Sequence, residues 1–338
     1  MIKVGLLGAG YMGGMHAACY EALNDLGVKV TAVADVYEDA AQELADKYQD
    51  IVVYGSSEDL IENADVNVID ICLPTHLHAK YAVAAMKKGY DVFCEKPVCL
   101  TESDMELMLK TKNETGAKLM VGQVIRLWTE YVWLKETVDQ GTYGKVLSGV
   151  FQRVSARPTW AKEGWIHKPE LSGGSAVDMH IHDTDFVRYI LGDPDEVKSI
   201  AYRNEDGMIE QIFSIFSYGN NVAVALEGGW DFPQTFPFSA TYRVKLEKAT
   251  VTLDNAGKLT VYPNEGEPFE PNLEPEFESK EDLGGNVSSL GGYYNELKYF
   301  VEGLQGKNDL SVATLEEAIE SVRLVKRELE SAGGLVVK

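Results

Sequence analysis

The first thirty-five residues carry a strand, a glycine-rich turn, a helix and a second strand that ends in an acid. Ile2–Leu7 is a short apolar run, and Gly8-Ala9-Gly10-Tyr11-Met12-Gly13 follows with no spacer. Helix-forming sequence continues from Met12 to about Leu26, and Val28–Ala34 rebuilds a β-rich run that stops at Asp35. A GxGxxG alone is weak, because glycine-rich turns are common; the flanking elements and the acid about twenty positions on make it specific. Gly8 permits the tight turn, Gly10 lets a pyrophosphate approach the backbone, and Gly13 lets helix and strand pack closely. Tyr11 and Met12 open the helix, whose N-terminal N–H groups face the phosphates. The alternative is a β–α turn without a ligand. The pattern predicts a dinucleotide site.

The same α/β rhythm continues downstream. Asp39–Tyr48 has helical period, and Val66–Leu73 is a nearly continuous apolar run of the kind buried on both faces of a parallel sheet. Ala79–Lys88 is a helix stopped by Gly89, Asp91–Cys94 a strand, Glu102–Thr115 a helix capped by Thr101 and ended by Gly116, and Lys118–Gly122 a further strand. This alternation predicts a doubly wound parallel sheet of Rossmann type over residues 1–123. Near residue 125 the pattern changes. Helices at about Glu130–Gln140 and Ser175–Leu191 flank a long β-type run, Lys145–Ser155. Then come Val197–Tyr202, Met208–Ser217, Val222–Trp230, Ser239–Leu246 and Thr250–Leu253, joined by short turns. These predict a second, α+β domain over 124–338 with a large antiparallel or mixed open sheet. Two helices, about Tyr293–Leu304 and Leu315–Ala332, close the chain; the second is placed to pack back on the first domain.

Composition excludes several classes. At 338 residues with 45% hydrophobic and 25% charged side chains, the chain has the make-up of a soluble globular protein of two domains. It contains no run of eighteen apolar residues, so no membrane span is expected. The first strand begins at the N-terminus without a signal-like segment, which makes a cytoplasmic location the expectation. The formal net charge of −22 argues against nucleic acid and anionic membranes as partners. Between Tyr262 and Leu283, eight acidic residues and four prolines accompany one lysine, a stretch read as a solvated loop or sheet edge. Cys19, Cys72, Cys94 and Cys99 form no C-x-x-C pair or metal-type spacing and are read as buried thiols.

Three features could carry chemistry. Asp35 ends the second strand, where a carboxylate accepts hydrogen bonds from ribose hydroxyls and repels a 2′-phosphate. The following Val36 and Tyr37 supply no arginine for that phosphate, so NAD is favoured over NADP. Cys94-Glu95-Lys96-Pro97 ends a later strand. Proline disfavours the α region for Lys96, which holds the lysine extended at the ligand crevice, unless it is simply a surface lysine. The third feature is Gly173-Gly174-Ser175 followed by Asp178, His180, His182, Asp183 and Asp185. At helical spacing Asp178, His182 and Asp185 share one face, while His180 falls nearer the apolar side. That face reads as a solvated polar surface, as a general base between carboxylates, or as a metal site. No residue is assigned to a metal.

On these motifs the sequence resembles the glucose–fructose oxidoreductase/inositol dehydrogenase (Gfo/Idh/MocA) family. The GxGxxG, the Glu-Lys-Pro, Gly-Gly…Asp-x-x-x-His-x-x-Asp, Pro74-Thr75-His76-Leu77-His78 and the terminal helix pair together span nearly the whole chain. The Gly-Gly-Ser at 173–175 departs slightly from the family's frequent triple glycine. The resemblance implies a Rossmann domain followed by a domain whose open sheet makes a homo-oligomer, a dimer or tetramer. It implies a catalytic group of Lys96, Asp178 and His182, with Asp185 on substrate hydroxyls. It also implies that Leu73, Pro74, Thr75, His78, Glu95, Lys96 and Gln123 line NAD.

The residues fit oxidation of a secondary alcohol. Histidine, with an ordinary pKa near 6.5, suits a base at neutral pH. Asp178 can orient it, and Lys96 can offset alkoxide charge. Arg153, Arg157, Trp160, Trp165 and His167 precede the Gly-Gly helix and could bind hydroxyls or wall a sugar, although tryptophans often serve a core instead. The expectation is an NAD-dependent dehydrogenase of a cyclic polyol, inositol or sugar derivative, hence a role in carbohydrate metabolism. The alternatives are a redox-neutral NAD-dependent glycosidase and a non-catalytic NAD-binding regulator. The sequence does not name the sugar, the carbon, the direction or the oligomer size.

Overall fold

The computed structural model describes residues 1–219, 221–273, 277 and 290–333. The chain divides into two compact units, Met1–Leu127 with Glu276–Ile319, and Trp128–Pro275 with Glu320–Lys338.

The first unit is built on six parallel strands: β1 (Ile2–Leu7), β2 (Val28–Ala34), β3 (Val52–Tyr54), β4 (Val68–Ile71), β5 (Asp91–Glu95) and β6 (Leu119–Gly122). Their order is β3-β2-β1-β4-β5-β6, the arrangement whose strand order reverses between β1 and β4 and places ligands at the carboxyl ends there. Helices α1 (Tyr11–Ala22), α2 (Glu38–Lys47), α3 (Ser57–Asn63), α4 (His78–Lys88) and α5 (Glu102–Thr115) connect them. Sequence periodicity yields five of these strands. β3 and α3 escape it because a three-residue strand has no period to detect. The α1 helix ends at Ala22 and gives way to a tight 3₁₀ turn over Asn24–Leu26, closed by Gly27 in the left-handed region.

The second unit holds α6 (Thr129–Asp139), β7 (Val146–Ala156), α7 (Pro169–Ser172), α8 (Ile181–Leu191), β8 (Glu196–Arg203), β9 (Ile209–Tyr218), β10 (Val222–Phe232), β11 (Ser239–Leu246), β12 (Ala249–Leu253) and β13 (Leu259–Pro263). These seven strands form a mixed sheet in the order β13-β12-β11-β7-β10-β9-β8, with β7 and β10 parallel and the other pairs antiparallel. Its inner face carries Phe151, Tyr242, Leu226 and Phe216. Phe186 of α8 packs edge-on to Tyr131 at 4.8 Å and against Phe151 at 6.2 Å.

One expected boundary is corrected. Sequence patterning puts everything after residue 123 in the second domain, but α9 (Gly291–Leu304) belongs to the first unit. Leu297, Phe300 and Val301 join the core formed by α1 and the six-stranded sheet, and Phe300 meets Phe93 of β5 at 5.3 Å. An amphipathic pattern shows that a helix has a partner, not which sheet supplies it. The last helix, α10 (Leu315–Ser331), begins in one unit and ends in the other. Of the acidic stretch Tyr262–Leu283, residues 274–276 and 278–283 lie outside the described residues. Among the described residues, no helix is long and apolar enough to cross a membrane.

Candidate functional site

The glycine turn is built as its chemistry requires. Gly8 has φ +96°, and a Cβ there would lie 2.4 Å from the Cys72 carbonyl oxygen. A Cβ on Gly13 would lie 2.0 Å from the Gly8 carbonyl oxygen, so any side chain would push α1 off β1. Gly10 differs: no protein atom lies within 4 Å of its would-be Cβ, and it caps α1 with no side-chain hydrogen bond. Tyr11 and Met12, half-buried, form the first turn. The outcome is a helix N-terminus with open space before it, the environment an anionic diphosphate occupies.

Asp35 is held by two backbone donors. The Ala9 N–H donates to Oδ2 at 2.7 Å and the Tyr37 N–H to Oδ1 at 2.8 Å. Each carboxylate oxygen keeps acceptor capacity beyond those bonds. Val36 beside it is 87% exposed.

Further along the carboxyl ends, Leu73 and Pro74 are half-buried and Thr75 is buried. His78 is corrected: it is fully buried, with Nδ1 2.9 Å from the Pro97 carbonyl and Nε2 2.7 Å from the Leu73 carbonyl. Burial lowers its basicity. It ties the loop after β4 to Pro97. Glu95 is buried and takes the Lys96 N–H at 3.0 Å, while Lys96 itself is half-buried. Gln123, immediately after β6, is 1% exposed, and neither end of its amide has a hydrogen-bond partner. A buried amide with both ends unmet costs stability unless a ligand or water satisfies it. The open glycine turn, the Asp35 carboxylate and this orphaned amide fit a nicotinamide dinucleotide.

In the second unit, the segment carrying Asp178 is a π-helical turn, Ala176–His180, running into α8. Gly173 and Gly174 (φ +81° and +73°) precede it, and a Cβ on Gly173 would overlap Val177. Wide turns of this kind occur often at functional sites. Between Ser175 and Val187, only Asp178, Met179 and His182 escape burial. Asp185, three residues beyond His182, differs from it and from Asp178 in burial. It is fully buried and accepts a hydrogen bond from Ser321 Oγ at 2.6 Å. His180 is buried too, with Nε2 2.7 Å from Glu328 Oε1; Thr184 donates to the other Glu328 oxygen.

The residues before this helix separate into two groups. Arg153 is 2% exposed, gives two hydrogen bonds to Asp183 (3.0 and 3.3 Å) and one to Tyr131 (3.0 Å). Its guanidinium is spent inside the unit, so it is corrected from substrate contact to core. Arg157 pairs with Glu210 at 3.0 Å. Trp160, 49% exposed, meets Trp165 edge-on at 6.5 Å, and His167 contacts the Pro158 carbonyl at 2.8 Å and the Trp230 ring at 6.0 Å. An aromatic patch and the half-exposed Arg157 remain there; Arg153 does not.

The sequence names Cys72 and Glu95 singly but not the cluster they form inside the first unit with His16, Asp70 and Glu296. One signal was available, because Asp70 interrupts the apolar run Val66–Leu73 in a strand buried at every position.

A doubly wound sheet with this turn and acid, followed by a unit with a mixed sheet and a half-buried Asp/His pair on a helix, defines a two-unit dinucleotide-binding protein. Residues 2–123 match the family described as oxidoreductases with an NAD-binding Rossmann fold, and residues 131–252 match the GFO/IDH/MocA C-terminal domain. The chain belongs to the Gfo/Idh/MocA oxidoreductase family. Among curated relatives, it is similar to the myo-inositol 2-dehydrogenase of Thermotoga maritima (32% identity over 192 residues, 57% of this chain and 55% of that protein). It is also similar to the 2,7-anhydro-N-acetylneuraminate hydratase of Escherichia coli (28% identity; 69% of this chain, 63% of that protein). The chain thus spans less than two thirds of the length of these relatives. In fold, it matches an oxidoreductase from Agrobacterium radiobacter solved with NAD+, L-tartaric acid and magnesium, with a TM-score of 0.86 at 18% identity over 98% of this chain and 96% of that one.

Proposed function

We propose that the chain is an NAD-dependent dehydrogenase that oxidises a secondary hydroxyl of a cyclic polyol, inositol or sugar derivative. The observation that carries this reading is the burial pattern of residues 175–187, which leaves an aspartate and a histidine as the only polar side chains that are not fully buried. When bound, NAD supplies the hydride acceptor. Gly8, Gly10, Tyr11, Met12 and Gly13 hold its pyrophosphate, Asp35 its adenosine ribose, and Leu73, Pro74, Thr75 and Gln123 the nicotinamide half.

His182 takes the hydroxyl proton as general base. Asp178, four residues before it, orients the imidazole and offsets its charge once protonated. Lys96 stabilises negative charge on the reacting oxygen as the carbon–hydrogen bond breaks. Trp160, Trp165 and His167 offer apolar and polar surface for a ring-shaped substrate. The chain assembles as a homo-oligomer through the outer face of the seven-stranded sheet, where Ile200 pairs with Phe213 and Ile215 adjoins Ala225 and Val150. Ile200 is 72% exposed, a position an apolar side chain occupies at a cost unless it is covered.

The decisive assay is accumulation of NADH with a panel of inositols, other polyols and aldoses. The dehydrogenase reading predicts net NADH with at least one of them. Similarity to the Escherichia coli hydratase favours a second reading, a redox-neutral cycle in which NAD stays bound. That cycle converts a glycoside or anhydro-sugar while NADH never accumulates.

A further inference from the structure

We propose that His16 is a positioning residue for Lys96, acting through the Glu95 carboxylate that it clamps between α1 and the end of β5. The inference rests on the reading of Lys96 given above.

The imidazole of His16 is fully buried in the second turn of the cofactor-binding helix, edge-on to Phe93 at 5.4 Å. Nδ1 lies 2.9 Å from Asp70 Oδ2, and Nε2 lies 3.1 Å from Glu95 Oε1. The other Glu95 oxygen takes the Lys96 backbone N–H at 3.0 Å. Gly122 makes room for this carboxylate, since a Cβ there would lie 3.1 Å from Oε1. A continuous chain of hydrogen bonds therefore runs from the cofactor helix to the residue that presents the lysine.

A neutral imidazole donates from only one nitrogen, so a carboxylate on each side is met by the doubly protonated ring. Burial is the largest single influence and opposes that charge, but Asp70, joined by Cys72, holds the imidazole well above its ordinary range. The other titratable groups around the ring leave it as the cluster's cation. Burial keeps the thiols of Cys19 and Cys72 and the phenols of Tyr20 and Tyr293 protonated. Burial and the neighbouring Glu95 push the Glu296 carboxyl far up.

The donor set His16, Asp70 and Cys72 would also suit a metal ion by type. Its spacing says otherwise. Two nitrogen or oxygen ligands about 2.0–2.1 Å from a tetrahedral cation sit roughly 3.3 Å apart. Here Nδ1 and Oδ2 are 2.9 Å apart and Cys72 Sγ is 3.2 Å from Nδ1, hydrogen-bonding distances that leave no room for an ion between them.

The test compares wild type, His16→Gln, Glu95→Gln and the double variant, with Lys96→Met in parallel. Both single variants should lower kcat by about 10- to 100-fold, the range for a reacting group displaced by up to an ångström. KM should stay within about threefold in both, as should the Kd for NAD in His16→Gln, and the double variant should be no worse than the worse single one. NMR of the ring nitrogens in the wild-type protein should show His16 doubly protonated at a pH of about 8, above the usual histidine range. A neutral ring at that pH overturns the inference even if His16→Gln fails to fold. Full kcat in folded His16→Gln, with Lys96→Met impaired, overturns it as well. Full kcat in Lys96→Met instead overturns the assignment of the lysine on which the inference stands.

Discussion

Strands β4 to β6 of the first unit are buried almost residue by residue, whereas β8 and β9 of the second alternate between buried and exposed. The first pattern belongs to a sheet with helices on both faces, and the second to a sheet with one face left open. The two units also present function differently. The first uses backbone: glycines that admit a ligand, a bare helix terminus, and peptide N–H groups that hold Asp35. The second offers side chains, with Asp178 and His182 the two polar groups left half-buried between Ser175 and Val187.

The comparison can be broken most severely at Arg153. The second unit stakes its core on a buried ion pair, so Arg153→Met leaves Asp183 charged and unpaired. The expected loss is about 3–5 kcal/mol of stability in denaturant melts, with the Kd for NAD little changed in the folded protein. A loss below about 1 kcal/mol would mean the pair is not structural. The first unit stakes its closeness on glycine. Gly13→Ala should destabilise by about 1–3 kcal/mol and also weaken NAD binding, because the helix must move off the strand. Unchanged calorimetric binding would refute that.

Residues differed in how far sequence disclosed them. The glycine turn was readable because each glycine answers a local backbone demand, and Asp35 because it sits at a fixed offset from the turn. Arg153, His78 and Asp185 were not. Their partners Asp183, the Leu73 and Pro97 carbonyls, and Ser321 were not deducible from local spacing, and a polar side chain looks the same in sequence whether it is solvated or buried and bonded. The destination of α9 was hidden for a similar reason, since its apolar stripe suits either sheet. The π-helical turn left no periodic trace, because five residues of wider pitch do not disturb the longer pattern Ser175–Leu191.

The buried acid of the first unit offers a pH-dependent test. Glu296 has its folded pKa raised above the unfolded value by burial and by Glu95. Its contribution to stability is therefore full below the unfolded value of about 4.3, and is lost as pH rises toward the folded one. Glu296→Gln should raise Tm over wild type at mildly alkaline pH, with the gain shrinking toward pH 4. A gain independent of pH would assign the effect to packing instead. The smallest effect on stability is expected on the open face. Ile200→Lys should change stability by no more than about 0.5 kcal/mol, yet shift sedimentation toward smaller species. An unchanged sedimentation profile would place any assembly surface elsewhere.

The division of labour itself, with cofactor binding in the first unit and base chemistry in the second, is tested most directly by the rate of NADH formation in NAD-saturated His182→Ala. With a polyol that wild type oxidises, the account predicts a fall in kcat of about 10²- to 10⁴-fold. A near-wild-type rate would contradict it.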